Sequence, residues 1–197
     1  MKKTILFAAT AALFVGCSST QNCSQKESAV PALVNFQVIE QPEVCVVGKL
    51  IHLNQVDFSA GAKLWEQCFA DGTFATLEAL KEYIHEDAYV GYMDEYNPTS
   101  GEFNYLCGMI MKPGVPVPEG FTARTLPATK IGVAWIKGKQ GQVSEICTAA
   151  YNLTPAAIVQ KGMKMAGNWT MEVYTCPRFT TPDENGDIII DFYMPCK

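Results

Sequence analysis

Twice along the chain an apolar, strand-like run is cut by a proline, at Gln41-Pro42 within Phe36 to Gly48 and at Leu126-Pro127 within Phe121 to Ile136. Proline has no amide hydrogen to give a ladder, so each run reads as one long strand with a bend in it. The two breaks lie about 85 residues apart, and the same order of patterns follows each. After the first, Ala62, Leu64, Trp65, Cys68 and Phe69 recur near helical spacing within Ala60 to Ala70. Leu77, Leu80, Tyr83 and Ile84 continue the apolar face as a second helical stretch beyond Asp71-Gly72. Tyr89 to Tyr96 and Glu102 to Met111 then read as a hairpin around the turn cluster Asn97 to Gly101. After the second break, Gln142 to Tyr151 reads as a helix, interrupted near Thr154-Pro155 and resuming through Ile158 and Met163. Asn168 to Cys176 and Asp187 to Met194 form the second hairpin, around Thr181 to Gly186. The expected fold class is α+β: duplicated β-α-β-β units in a pseudo-twofold antiparallel sheet, helices packed on one face, and a central groove between the halves.

The hydrophobic set is 48% of the chain and charged residues are 18%, enough apolar material for one full core. Met1-Lys-Lys-Thr followed by the apolar run Ile5 to Val15 is too short to span a bilayer and reads as a secretory signal. It ends in Gly16-Cys17, like the lipobox of bacterial lipoproteins, which makes Cys17 the expected lipidation site. The expected division is a signal peptide over 1–16, a flexible polar tether over 17–32 and one domain over 33–197. The protein is then anchored to a membrane in the bacterial cell envelope. Without Lys2 and Lys3, 13 bases face 20 acids. That acidic balance speaks against nucleic acid as a partner, since phosphate binding needs a basic face.

Apart from Cys17 and Cys23, six cysteines fall in the domain: Cys45, Cys68, Cys107, Cys147, Cys176 and Cys196. No C-x-x-C pair occurs, and neither His52 nor His85 stands at metal-ligand spacing from a cysteine, so no metal and no cofactor is expected. An exported chain permits disulfides, but buried free thiols fit the pattern equally, and spacing does not choose.

Several segments, in order, resemble one family, the GyrI-like small-molecule-binding domain that also serves as the effector-binding part of AraC-type and MerR-type regulators. They are Gln41 to Gly48, Leu64-Trp65 with Phe69, Tyr89 to Tyr92, Phe103 to Gly108, Val117 to Phe121, Pro127 to Lys137, Met171 to Tyr174 and Asp187 to Pro195. The resemblance implies the duplicated fold and an aromatic-lined cavity, often with a buried glutamate that receives planar cations, as in multidrug recognition. It also implies that some relatives hydrolyse strained electrophiles. Most members are cytoplasmic or fused to a DNA-binding domain, whereas this chain opens on a lipoprotein-like leader, so transcriptional control by it is not expected.

Alternation along the last-but-one strand puts Glu172 and Tyr174 on one face and Met171, Val173 and Thr175 on the other. A glutamate facing a low-dielectric cavity favours a cationic guest, because the guest restores what burial removes. An exposed carboxylate on a sheet surface is the alternative. Tyr105 carries a hydroxyl that Glu172 could satisfy, and Trp65 sits on the first helix; core packing competes with ligand contact for both. Trp135, Tyr92 and Tyr193 are weaker ligand-binding candidates. The leading expectation is a membrane-tethered module that binds small hydrophobic or cationic organic molecules. The rival is a hydrolase in which Glu172 activates water and Tyr105 donates a proton.

Overall fold

Pro42 and Pro127 lie on one bent ribbon. The computed structural model of the chain describes residues 30–55 and 59–197. In it the first run is β1 (Ala32–Gln41) and β2 (Val44–Asn54), and the second is β5 (Thr122–Leu126) and β6 (Thr129–Lys139). Gln41 pairs with Thr129 on one side of the prolines and Val44 with Leu126 on the other, so the two bent runs are antiparallel partners from end to end. The remaining strands are the hairpins β3 (Ile84–Asp94) with β4 (Glu102–Met111) and β7 (Thr170–Thr175) with β8 (Asp187–Cys196). The helices are α1 (Ser59–Ala70), α2 (Thr73–Glu78) and α3 (Val143–Gln160).

All eight strands form one antiparallel sheet in the order β1-β6-β8-β7-β3-β4-β2-β5. Exchanging the halves reproduces the same order read backwards, which is the pseudo-twofold arrangement expected of a duplication. The register keeps the repeat: Cys45 opposite Met111 in β2/β4 becomes Lys130 opposite Cys196 in β6/β8, each residue 85 positions later.

Only Pro42 and Glu43 link β1 to β2, although these strands stand first and seventh in the sheet. Neighbouring strands are about 4.8 Å apart and a chain step covers at most about 3.8 Å, so a flat sheet is impossible. The sheet therefore curls until its ends meet. Its inner face is closed by its own side chains: Val44, Val46, Val90, Leu106, Ile131, Met171 and Val173 are fully buried in one cluster. The outer face carries the other core, covered by α1 and α2 over β2 and β4, and by α3 over β6, β1 and β8. Between these two helical covers, β3 and β7 run side by side, one on either side of the axis.

Three local expectations change. Tyr83 belongs to a short 3-10 turn and Ile84 opens β3, because the chain must reverse onto the sheet there. Pro155 lies inside α3 without ending it, so the second helix is not interrupted. β1 begins at Ala32, inside the stretch read as tether. The signal peptide, Cys17 and Cys23 lie outside the described residues. Cys45, Cys68, Cys107, Cys147, Cys176 and Cys196 are free thiols, with Cys68 and Cys107 in hydrogen-bonding contact between α1 and β4. Among the described residues no three His, Cys, Asp or Glu side chains converge as a metal set, and no helix is long and apolar enough to cross a membrane.

Candidate functional site

The axis of the duplication passes through one residue pair. In the β3/β4 hairpin Gly91 stands opposite Cys107, and in β7/β8 Glu172 stands opposite Phe192, which makes Gly91 and Glu172 counterparts. They are also direct partners across the β3/β7 ladder. A Cβ on Gly91 would lie 2.3 Å from the Tyr105 hydroxyl and 3.0 Å from Glu172 Oε2. The missing side chain in one half is thus what makes room for the carboxylate of the other.

Glu172 projects to the helix-covered face, as strand alternation predicts, and is only 7% exposed. The Tyr174 hydroxyl donates to its Oε2 at 2.9 Å and the Tyr105 hydroxyl at 3.4 Å. The Trp65 indole N–H in turn donates to the Tyr105 oxygen at 2.7 Å. From α3 the Cys147 thiol makes a further hydrogen bond to Glu172. Rings close the sides: Trp65 meets Tyr174 edge-on at 5.0 Å and stacks on Phe74 at 5.7 Å, while Phe179 meets Tyr174 at 4.8 Å.

Every group on this carboxylate is neutral. Among the described ion pairs none involves Glu172. Burial pushes its pKa up from the ordinary carboxylate value, opposed by the hydrogen bonds from Tyr174, Cys147 and Tyr105. Tyr105 and Tyr174 are both held well above the usual phenol value, first by burial and then by the Glu172 charge. A phenol held so firmly protonated is a poor acid, which weakens the Glu172–Tyr105 hydrolytic pairing.

The four residues Glu172, Tyr174, Tyr105 and Trp65 therefore come together. Trp135, Tyr92 and Tyr193 do not join them, because alternation turns all three to the inner face. There Tyr92 donates to Asp94 at 3.2 Å, Tyr193 to Glu86 at 2.9 Å, and Trp135 lies under the Arg178 guanidinium at 4.6 Å. Gly91 and Cys147 are not among the site residues that the sequence marks out. The one available signal was for Gly91, since a glycine inside a strand pattern marks a close approach. Nothing in the helical pattern of α3 distinguishes Cys147.

The family described as integron-associated effector binding protein, Cass2, matches residues 40–196. The transcriptional regulator BrlR of Pseudomonas aeruginosa is 29% identical over 163 residues, covering 82% of this chain and 55% of the regulator, so the chain spans about half the length of that relative. Among solved structures, the one described as SAV2435 bound to tetraphenylphosphonium aligns with a TM-score of 0.60 at 17% identity, over 83% of this chain and 94% of that one. The EcmrR–DNA complex aligns with a TM-score of 0.52 at 15% identity, over 85% of this chain and 58% of that one. These structures share the fold.

The comparisons favour effector binding and give the hydrolase alternative no support. They also correct the expectation that nucleic acid is excluded: a relative at 29% identity is a transcriptional regulator, and a protein of the same fold was solved on DNA. Net charge misled because the acidity of an effector-binding domain carries no information about residues outside it.

Proposed function

The chain belongs to the Cass2 family of integron-associated effector-binding proteins, and on that footing we propose that it binds an amphipathic organic cation between the helices and the sheet, with Glu172 as the counter-charge. The observation that carries this is a buried carboxylate whose described partners are two hydroxyls and a thiol, none of them cationic. Burying an ionised carboxylate without a cation is costly, and a bound cation removes the cost. The surrounding Trp65, Tyr174 and Tyr105 offer π faces and edges to the rest of such a ligand. The tetraphenylphosphonium in the SAV2435 structure is a ligand of this chemistry.

Paired calorimetric titrations of tetraphenylphosphonium and a neutral analogue of the same shape test the reading. Glu172→Gln removes one charge-assisted contact, about 1.5–3 kcal/mol, so cation affinity is expected to fall about tenfold to a hundredfold while neutral affinity holds. Equal losses for both ligands would sink the charge-selection mechanism.

The leader supports a second element of the proposal. Gly16-Cys17 after an apolar run fits export and acylation at Cys17, with the stretch from Cys17 to the start of β1 tethering the binding domain to a membrane of the cell envelope. Cys17→Ser is expected to release the protein into the soluble fraction, and membrane retention of that variant after a high-salt wash would count against the anchor.

A further inference from the structure

A cavity of about 430 Å³ opens where β3 ends and the chain enters β7, beside α3, within the size range of small-molecule sites. Met93, Phe103, Tyr151, Met165, Trp169 and Thr170 supply most of its wall. Neither Glu172 nor Tyr105, Tyr174 or Trp65 lines it. The Glu172 cluster and this cavity are nevertheless adjacent. Met93 and Thr170 pair across β3/β7, and each stands two residues from Gly91 or Glu172 on the same face, one side-chain row away.

What separates them is small. The Tyr151 hydroxyl, carried by α3, donates to the Met93 sulfur and also reaches Thr170. The ring rests edge-on against Phe192 at 4.9 Å, and part of it faces solvent. The hydroxyl end is buried and feels the Glu172 charge, which with burial holds the phenol well above its usual pKa. Met93, Thr170 and Tyr151 thus form a partition with Glu172 on one side and the open cavity on the other.

We propose that this cavity is an outer binding compartment, in which an aromatic cation is first held against Trp169 and Phe103 before it passes the Met93–Tyr151 partition to Glu172. The inference rests on the Glu172 reading above and adds a second site and a route. The chemistry of the wall suits the role. Tryptophan and phenylalanine faces attract cations, and methionines, being unbranched and polarisable, adapt to guests of different shape. Among the described residues the one carboxylate in the wall, Asp94, is already engaged by the Arg124 Nε at 2.9 Å, so it does not compete strongly with Glu172 for the cation. The partition can move cheaply, because a Met side chain has many rotamers and the Tyr–Met hydrogen bond is a weak one.

The tryptophans report the two compartments separately, since Trp169 lines the outer cavity, Trp65 touches Tyr105, and Trp135 lies on the inner face of the sheet. Stopped-flow fluorescence is followed on mixing tetraphenylphosphonium with the full chain carrying Trp135→Phe, and with the same chain carrying Trp169→Phe as well. The expected result is a fast phase, its rate proportional to probe concentration, that disappears with Trp169, then a slower, saturating phase that remains with Trp65. Met93→Ala is expected to speed the slow phase about tenfold, and Tyr151→Phe, which keeps the ring and deletes only the hydroxyl, to speed it by a smaller factor. Glu172→Gln is expected to shift the slow phase to about tenfold to a hundredfold higher probe concentration and leave the fast one. A Trp65 signal without a Trp169 phase, or a slow rate unchanged in both partition variants, would overturn the outer compartment while leaving the Glu172 site standing. No change in either signal would overturn both.

Discussion

Glu172 on β7 and Asp191 on β8 are both buried carboxylates, on adjacent strands and opposite faces of the sheet. Asp191 pairs with Val173 across the ladder and so points inward, where the Arg178 Nε donates to it at 2.8 Å and the same guanidinium lies over the Trp135 ring at 4.6 Å. The protein supplies its own cation there, seated on its own aromatic. Glu172 points outward into an equally aromatic setting, yet its partners are Tyr174, Tyr105 and Cys147. One carboxylate is complete within the fold, and the other has the aromatic seat without the cation. The difference teaches that the polar inner cluster is structural, while the outer one is electrostatically unfinished in a way that a ligand can finish.

Removing the internal cation should break the complete site most severely. Arg178→Met strands Asp191, which is 1% exposed, and should cost about 3 kcal/mol in urea unfolding, the low end for a broken buried pair because the arginine side is itself 29% exposed. Glu172→Gln, measured alongside, should leave the unliganded protein as stable as before or slightly more so. If the two variants destabilise equally, the contrast between the sites is wrong.

Gly91→Ala attacks the room that Glu172 occupies. Its Cβ would meet the Tyr105 hydroxyl and the carboxylate at once. Overpacking of this kind costs about 1–3 kcal/mol, and the variant should also lose cation binding. A variant that unfolds as easily as expected but binds tetraphenylphosphonium normally would show that the pair at the axis does not shape the site.

The pH response sharpens the comparison further. Burial raises the Glu172 pKa above the ordinary carboxylate value, so cation affinity should fall as pH is lowered through that raised value, and Glu172→Gln should flatten the profile. For folding the sign is opposite: a raised folded pKa contributes stability that is full below the unfolded value and lost as pH rises through the folded one. The stability gained by Glu172→Gln should therefore be near zero in acid and grow with pH. Glu86, raised by burial beside Tyr193, gives both proteins a common slope of the same sign, so the difference between them is the quantity to measure by thermal unfolding.

The smallest effect is expected at Trp135. Trp135→Phe weakens the face under Arg178 and should cost about 0.5–1 kcal/mol, leaving titrations with tetraphenylphosphonium unchanged. A loss of ligand affinity there would mean that the two faces of the sheet communicate.

Much of this architecture is written in local pattern. Two proline breaks with the same elements after each imply a duplication, and alternation within Met171 to Tyr174 sends Glu172 and Tyr174 to one face. Such signals survive because backbone donors, side-chain alternation and apolar spacing act over a few residues. Alternation also predicts that Tyr92 and Glu172 diverge, once Gly91 rather than Tyr92 is known to face Glu172 across β3/β7, but that register is a fact about two strands some 80 residues apart. The tertiary structure alone decided that the bent strands exchange partners between halves, that the sheet curls onto itself, and that Trp65 from α1, Tyr105 from β4 and Cys147 from α3 converge on one carboxylate. It also put Trp135 beneath Arg178 and Tyr151 beside Met93. Each of these depends on which strand lies beside which, a choice settled by the burial of whole faces at once, and no short stretch of sequence carries that total.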